Sequence, residues 1–419
     1  MRRISIFALF IAIAVCLFAA DPTATSYSAD DCRGSLSPYP AVSGIEAYPD
    51  SLTPVFITHV GRHGSRYPAS SQHTLALLQL LQRADSAGTI TPLGKRLMAV
   101  SQYVANVSGG RWGALDSLGM AEQRGIASRM YMAYPEVFKG AKIRAISSYS
   151  PRCMMSMMSF THQIDRLNNK VEITTSTGRS NSALLRPFDV DEDYLDFRKA
   201  GRWSQPYEDY LNAFLPLTAL RRAVGESFEM DETEERDMAL AEYYVIAGLD
   251  AMGLDYDEKE FFTTEEINAL WSAFNLRQYL QRAASTISTV PADIASPLLQ
   301  DIVFSIDNFI DGKEKAAVVL RFGHAETLIP LLSLMRLPGA YYMTNYFDTV
   351  RQKWCDFSIV PMAANLQIVL FKTKKGEHYV RFDLNEKPIA LRDGFPKYVK
   401  WGEARELLLK FIPMYYQAF

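Results

Sequence analysis

One stretch near the N-terminus decides the fold: residues 54–68 read PVFITHVGRHGSRYP. Its first part is largely apolar and β-branched and stops at Gly61, which predicts a buried strand feeding a loop. The loop carries His63 between Arg62 and Arg66, and the following Gly64 lets a ligand approach the backbone. An imidazole flanked by two planar guanidinium groups is suited to act as a nucleophile inside an anion clamp. The alternative is a surface loop with solvated arginines and a packing histidine.

Two further predicted strands end in groups of the same chemistry. Residues 143–148 predict a strand that runs into Arg152, and residues 316–322 predict one followed by His324 and Glu326. Each group alone would be unremarkable. Because open α/β sheets gather their ligands beyond the carboxyl ends of the strands, we expect the three loops to meet. Together they supply the residue types that phosphoryl transfer needs.

The loop sequence resembles the histidine phosphatase superfamily, in its acid phosphatase and phytase branch, whose signature is R-H-G-x-R-x-P. Five fixed positions would arise by chance in a chain of this length with a probability on the order of one in ten thousand. Residues 115–135 look like the helix that follows the signature loop, and residues 148–156 look like the segment of the third arginine. The resemblance covers about half of the chain.

Within that branch, the usual enzymes carry His-Asp where this chain has His324-Ala325-Glu326. The His-Ala-Glu form, with Arg152-Cys153 and residues 363–366 and 385–388, is similar to the multiple inositol polyphosphate phosphatases. Moving the carboxylate one position along a helix re-aims it by about 100°. Glu326 is therefore the assignment in which this chain departs from the usual pattern.

The resemblance implies a role for each of six residues: a nucleophile that forms a phosphohistidine (His63), a proton donor (Glu326) and four groups that bind the phosphoryl oxygens (Arg62, Arg66, Arg152 and His324). The positive clamp is expected to lower the pKa of His63, while Glu326 is expected to be protonated for the first step. An acidic to near-neutral pH optimum follows. No metal or other cofactor is expected, since the arginines supply the charge.

Composition places the chain among globular proteins of about two domains. It has 419 residues, 48% of them hydrophobic, and a net charge of -3, which excludes disordered, collagen-like and multi-span membrane chains and does not favour a nucleic-acid partner. The resemblance implies an α/β fold with a mixed central sheet flanked by helices, plus a smaller, mainly α-helical domain. We expect a loosely structured lead-in (21–50), a catalytic core (51–170 and 303–419) and a helical insertion (171–302).

The first 20 residues are typical of a signal peptide. Arg2 and Arg3 precede an apolar run over residues 6–20, which is shorter than the roughly 20 residues needed to span a bilayer. The protein is thus expected to be exported, to a periplasm, a cell surface or the medium. Cys16 follows Val15, a poor fit to a lipidation site, so a lipid anchor is not favoured. Cleavage leaves three cysteines, which permit one disulfide and one free thiol: Cys32, Cys153 and Cys355.

The expected function is hydrolysis of inositol polyphosphates such as phytate, with a small-molecule substrate as the partner. A broad-specificity acid phosphatase is the alternative, and an exported protein that binds phosphate esters without cleaving them is an alternative of another class. Five basic residues near the start of the helical region either line the entrance or are solvated helix charges: Arg179, Arg186, Arg198, Lys199 and Arg202.

Overall fold

A mixed sheet forms the centre of the computed structural model, which describes residues 26–416. The described residues form eight strands: β1 (Leu52–Arg62), β2 (Lys142–Ser147), β3 (Glu172–Thr177), β4 (Ala316–Gly323), β5 (Asn365–Thr373), β6 (His378–Leu384), β7 (Lys387–Ile389) and β8 (Val399–Lys400). Their order is β3-β2-β4-β1-β5-β6-β7, and β8 pairs with β6. The predicted hairpin corresponds to β5 and β6, which are antiparallel.

Helices cover both faces of this sheet. Those before β3 are α1 (Gln72–Ser86), α2 (Pro92–Ser108), α3 (Ser117–Ala133) and α4 (Pro151–Leu167). Those between β3 and β4 are α5 (Ser182–Leu185), α6 (Glu192–Ala200), α7 (Ser204–Phe214), α8 (Thr218–Val224), α9 (Glu232–Ala247), α10 (Thr264–Arg282), α11 (Val290–Asp293) and α12 (Ser296–Ile310). The remainder are α13 (Ala325–Leu334), α14 (Val350–Lys353), α15 (Asp356–Ile359) and α16 (Trp401–Lys410).

The two faces of β1 belong to different parts of the core. Phe56 and Val60 pack with α12 and α13, whereas Ile57 packs with α3 and α4. This alternation is the period of a strand buried on both faces. The mixed α/β fold expected from the sequence is confirmed.

The register of β1 assembles the carboxyl ends of three strands. β1 runs parallel to β4, with Arg62 opposite Gly323, and β4 runs parallel to β2, with Phe322 opposite Ser147. On its other side β1 is antiparallel to β5. The segments after β1, β2 and β4, which carry the predicted site residues, therefore leave the sheet at one edge.

In two places the structure differs from the chain organisation expected from the sequence. The central sheet extends into the segment expected to be helical, because β3 pairs in parallel with β2. Its sequence, EITTST, is polar and mostly exposed at the sheet edge, so it lacks the apolar run that marks a buried strand. In the lead-in, Asp31–Leu36 forms a 3₁₀ helix that buries Cys32 and Ser35. This helix is part of the core and contacts the site.

The predicted signal peptide (1–20) and Cys16 lie outside the described residues. Between residues 26 and 416, no helix combines the length and the apolar character needed to cross a bilayer. Cys32, Cys153 and Cys355 are free thiols. The disulfide that the sequence analysis allowed is therefore not formed.

Candidate active site

The loop that follows β1 is held from α3. The backbone NH and the hydroxyl of Ser65 each donate to a carboxylate oxygen of Glu122, at 2.7 Å, and Gln123 Nε2 donates to the carbonyl of Arg62 at 3.0 Å. The helix approaches so closely that a Cβ on Gly64 would lie 2.4 Å from the carbonyl oxygen of Gly119. Glycine is thus required here by close approach of two backbones.

His63 is buried and unprotonated. Its Nδ1 lies 2.9 Å from the carbonyl oxygen of Gly64. Since a carbonyl only accepts, this contact assigns the ring proton to Nδ1 and leaves the lone pair on Nε2. Burial, followed by the charges of Arg152, Arg62 and Arg66, holds the pKa of His63 well below its usual range. The imidazole is therefore a free base at mildly acidic pH, as expected from the surrounding charges.

Three arginines surround His63 with hydrogen-bonding capacity to spare. Arg62 Nη1 donates to the carbonyls of Ser35 and Val360, at 2.6 and 2.5 Å. The Nε atoms of Arg62, Arg66 and Arg152 are buried and have no partner among residues 26–416. Burial, together with mutual repulsion, lowers the pKa of Arg62 to about 10 and that of Arg66 to about 9. Buried cationic donors without partners form a site that an anion would satisfy.

His324 lies beside the nucleophile, with the two rings 5.6 Å apart between centroids. Ser148 Oγ and Arg186 Nη1 lie 3.0 and 2.8 Å from its Nε2, and Arg152 Nη2 lies 3.3 Å from its Nδ1. Burial and the charge of Arg152 lower its pKa to about 3. His324 is therefore a neutral ring between two arginines, adjacent to the phosphate position that the clamp defines.

Glu326 lies in the first turn of α13 and is ionised in the ligand-free protein. Its Oε1 accepts a hydrogen bond from Arg282 Nη2 at 2.7 Å. Burial raises the pKa of Glu326, but the positive charge of Arg282, a backbone hydrogen bond and the positive charge of Arg62 outweigh it and bring the pKa far below the usual range. The sequence indicated a protonated carboxyl for the first step. Arg282, which ends α10, has no motif around it and was not among the predicted site residues.

The five basic residues of the entrance are not equivalent. Arg186 reaches the site: besides its contact with His324, it pairs with Asp189 and lies over the rings of Tyr149 and Phe188. Arg179 also lies over the ring of Tyr149, with its Cζ 4.9 Å from the ring centroid. The remaining three are exposed on the helical region: Arg198, Lys199 and Arg202.

Three residues that shape the site were given no role in it from the sequence. Glu122 lies in the helix that matched the resemblance, but its contact with Ser65 has no local signature. Cys153 donates from Sγ to the carbonyl of Gly323 at 3.0 Å and so ties α4 to the end of β4. Arg282 is the third. Acidic or basic character at these positions is visible in the sequence, whereas their partners are set by tertiary packing.

This sheet edge, with an imidazole among arginines at the ends of parallel strands, defines a phosphatase of the histidine class. The family model "Histidine phosphatase superfamily (branch 2)" matches residues 56–385. The chain belongs to this superfamily, as the resemblance indicated.

Two vertebrate proteins are similar to most of this chain. Human "Multiple inositol polyphosphate phosphatase 1" is 26% identical over 373 residues, covering 81% of this chain and 76% of the relative. The protein of the same name from Gallus gallus is 27% identical over 382 residues, covering 85% and 80%.

Solved structures share the fold. The multiple inositol polyphosphate phosphatase of Bifidobacterium longum, in complex with inositol hexasulfate, has a TM-score of 0.72 at 18% identity and covers 90% of this chain and 97% of its own. The phytase from D. castellii has a TM-score of 0.69 at 18% identity and covers 94% and 88%. At these identities the likeness supports the common architecture.

Proposed function

We propose that this protein is an exported phosphomonoesterase that hydrolyses inositol polyphosphates such as phytate through a phosphohistidine intermediate. The observation that carries the proposal is His63, a neutral imidazole whose Nε2 carries the lone pair, among three arginines with unpartnered buried Nε atoms. A protein that only binds phosphate esters has no need of a nucleophile in such a position.

In the first step, Nε2 of His63 attacks phosphorus and the bond to the ester oxygen breaks. Arg62, Arg66 and Arg152 stabilise the equatorial oxygens, and Glu326 in its acid form gives its proton to the leaving alkoxide. Phosphorylation makes the ring cationic, and the Nδ1 proton is then held by the Gly64 carbonyl. This hydrogen bond keeps the ring in one orientation during both steps.

In the second step, water attacks the phosphohistidine and the phosphorus–nitrogen bond breaks. Glu326, ionised after the first step, takes the proton of that water and so returns to its acid form. Inorganic phosphate leaves, and His63 is again a neutral base. The clamp compensates the charge of phosphate throughout, and the arginines thus do the electrostatic work of catalysis.

Two more arginines support a polyanionic substrate. Arg186 contacts His324, and Arg282 contacts Glu326 with its Nε buried and unpartnered. A simple monoester fills the three-arginine clamp and has no second phosphate group for these two cations to bind. The names of the human and chicken relatives point to the same substrate class.

The test is phosphate release from phytate by the mature protein at about pH 5, near the expected optimum, in the presence of EDTA. Native protein is expected to release phosphate and His63→Ala to release none. His162→Ala, which removes an exposed histidine outside the site, is the matched control. Equal release by His63→Ala would overturn the covalent mechanism.

The product ladder and substrate range separate the alternatives. A ladder of lower inositol phosphates, with kcat/KM for phytate well above that for p-nitrophenyl phosphate, supports the proposal. Comparable kcat/KM values for both would favour a broad-specificity acid phosphatase. Tight phytate binding without turnover of either substrate would favour a binding protein.

Export is proposed from the basic start and apolar run of residues 1–20. Expression of the full chain in a host with a secretory pathway is expected to yield mature protein outside the cytoplasm. Mass spectrometry of its N-terminus is expected to show loss of about the first 20 residues. Recovery of the intact N-terminus in the cytoplasmic fraction would contradict it.

A further inference from the structure

Glu326, the proposed acid, is paired with a cation that has unused capacity. Arg282 Nη2 donates to Glu326 Oε1 at 2.7 Å, while Arg282 Nε is buried with no partner within residues 26–416. The Arg282 side chain is 17% exposed and that of Glu326 is 32% exposed. The pair is therefore accessible to a ligand, and Arg282 has a donor left for it.

Other charged or titratable groups on neighbouring segments lie around Glu326. They are Arg62 from β1, Arg66 from the loop after β1, the thiol of Cys153 from α4 and His324 from the end of β4. Without a ligand, this environment is strongly cationic. It keeps the carboxylate ionised, so Glu326 holds no proton when the site is empty.

We propose that Glu326 becomes protonated only when a polyphosphate substrate is bound, and that Arg282 imposes this condition. A second phosphate group of the substrate draws Arg282 away from Glu326. Glu326 then takes up the proton that it donates to the leaving group. This inference rests on the proposed function and names the feature by which the site selects its substrate. Arg282 acts as a specificity-determining residue, through the acid rather than through affinity alone.

The competition for Arg282 favours phosphate over the carboxylate. A phosphate monoester carries about -1.5 to -2 charges at pH 7 and accepts two parallel hydrogen bonds from an arginine. The free Nε of Arg282 offers the second donor. Once Arg282 binds that phosphate, Glu326 lies near anionic oxygens without its cation, and both changes favour its acid form. The proton comes from solvent.

Substrates with a single phosphate do not release this acid. An alkyl monophosphate fills the clamp, Arg282 stays on Glu326, and the alkoxide must leave without a proton. Loss of general acid catalysis typically costs 10²–10⁴-fold in rate. An aryl phosphate such as p-nitrophenyl phosphate is affected less, because its leaving group is stable as an anion.

The experiment compares kcat against pH for phytate, glycerol 2-phosphate and p-nitrophenyl phosphate in native protein and Arg282→Gln. In Arg282→Gln, kcat for glycerol 2-phosphate is expected to rise about tenfold at mildly acidic pH, with its basic limb moved up by about one pH unit or more. KM for phytate is expected to rise in the same variant. A kcat for glycerol 2-phosphate that falls, or a limb that does not move, would overturn the inference.

Two variants control for loss of charge and loss of structure. Arg221→Gln removes an arginine that pairs with Glu235 elsewhere in the helical region, and its profiles are expected to match the native ones. Arg282→Lys keeps the cation and is expected to keep the native limb for glycerol 2-phosphate. A shift in Arg221→Gln equal to that in Arg282→Gln would mean a general charge effect and would contradict the role of Arg282.

A binding measurement tests the same point without turnover. Inositol hexasulfate is a suitable probe because its sulfates do not titrate in the working pH range, so protons taken up on binding belong to the protein. Calorimetry in two buffers of different ionisation enthalpy is expected to show greater proton uptake by native protein than by Arg282→Gln or Glu326→Gln. Equal uptake by all three would contradict the inference.

Failure of this inference differs visibly from failure of the proposed function. If native protein releases no phosphate from any of the three substrates, or if His63→Ala still does, the proposed function fails. If release depends on His63 but neither the kcat limb nor the proton uptake changes in Arg282→Gln, the phosphatase stands and only the conditional acid is wrong.

Discussion

At the scale of single residues, the site depends on the absence of a side chain at the position after the nucleophile. Gly64 follows the nucleophile and lies against the backbone of α3, where a Cβ would be 2.4 Å from the Gly119 carbonyl oxygen. Gly64→Ala must therefore push the loop away from the helix. A displacement of about 1 Å at a catalytic group typically costs on the order of 10²-fold in rate.

We accordingly expect Gly64→Ala to lower kcat with phytate by about two orders of magnitude. Gly402→Ala is the matched control, since a Cβ there meets nothing within 4 Å. Steady-state kinetics and a thermal melt of both variants check this. Native kcat in Gly64→Ala would show that the loop tolerates the shift and that the close approach has no catalytic consequence.

At the scale of elements, α10 links the helical region to the site. It starts with a capping box, in which Thr263 Oγ1 accepts from the NH of Glu266 at 3.2 Å and the Glu266 carboxylate accepts from the NH of Thr263 at 2.9 Å. It ends at Arg282, beside Glu326. Its two ends thus serve stability and chemistry separately.

Thr263→Ala is expected to lower the free energy of unfolding by about 1 kcal/mol, because one backbone NH loses its cap. The kcat with phytate is expected to change little, since the cap lies five turns from Arg282. Thr264→Ala, at the next position along, is the control for loss of a threonine side chain. Urea unfolding of both variants measures the difference in free energy of unfolding. Equal stability of the two would contradict a stabilising role of the Thr263 cap.

Strand ends were the predictable part of this molecule. Apolar runs predicted β1, β2 and β4. The rule that parallel strands gather ligands at their carboxyl ends then predicted that His63, Arg152 and His324 lie together. β3 was missed because an exposed edge strand needs no apolar face. Arg282 was missed because only the packing of α10 on α13 sets which helix end meets Glu326. The state of that carboxyl, which depends on Arg282, could not be predicted either.

At the scale of the whole molecule, one buried acid makes stability depend on pH. Glu242 in α9 is 1% exposed, and both its carboxylate oxygens lack a hydrogen-bond partner within the described chain. Burial raises its pKa from 4.5 to about 8, with a smaller opposing effect from Arg222 and a reinforcing one from Glu266. Between these two values the folded state holds a proton that the unfolded state has released.

Stability is therefore expected to fall as pH rises from about 4.5 to about 8, by an amount on the order of 5 kcal/mol from this group. Glu242→Gln is expected to remove that slope and to be more stable than native protein at the upper end of the window. Urea unfolding at several pH values tests this, with the exposed Glu232→Gln of the same helix as control. A native slope retained in Glu242→Gln would assign the pH dependence to other groups.

The position of β1 in the sheet also determines at what point of chain synthesis the active site can form. The strand that leads to the nucleophile is made early, but both its neighbours, β4 and β5, are encoded in the last third of the chain. Pairing over such a sequence distance is slow, because the loop must close before the contacts can form. A growing or truncated polypeptide that ends before β4 has the histidine and no phosphatase. Its unpaired β1 is an adhesive edge, so incomplete chains are aggregation-prone rather than weakly active.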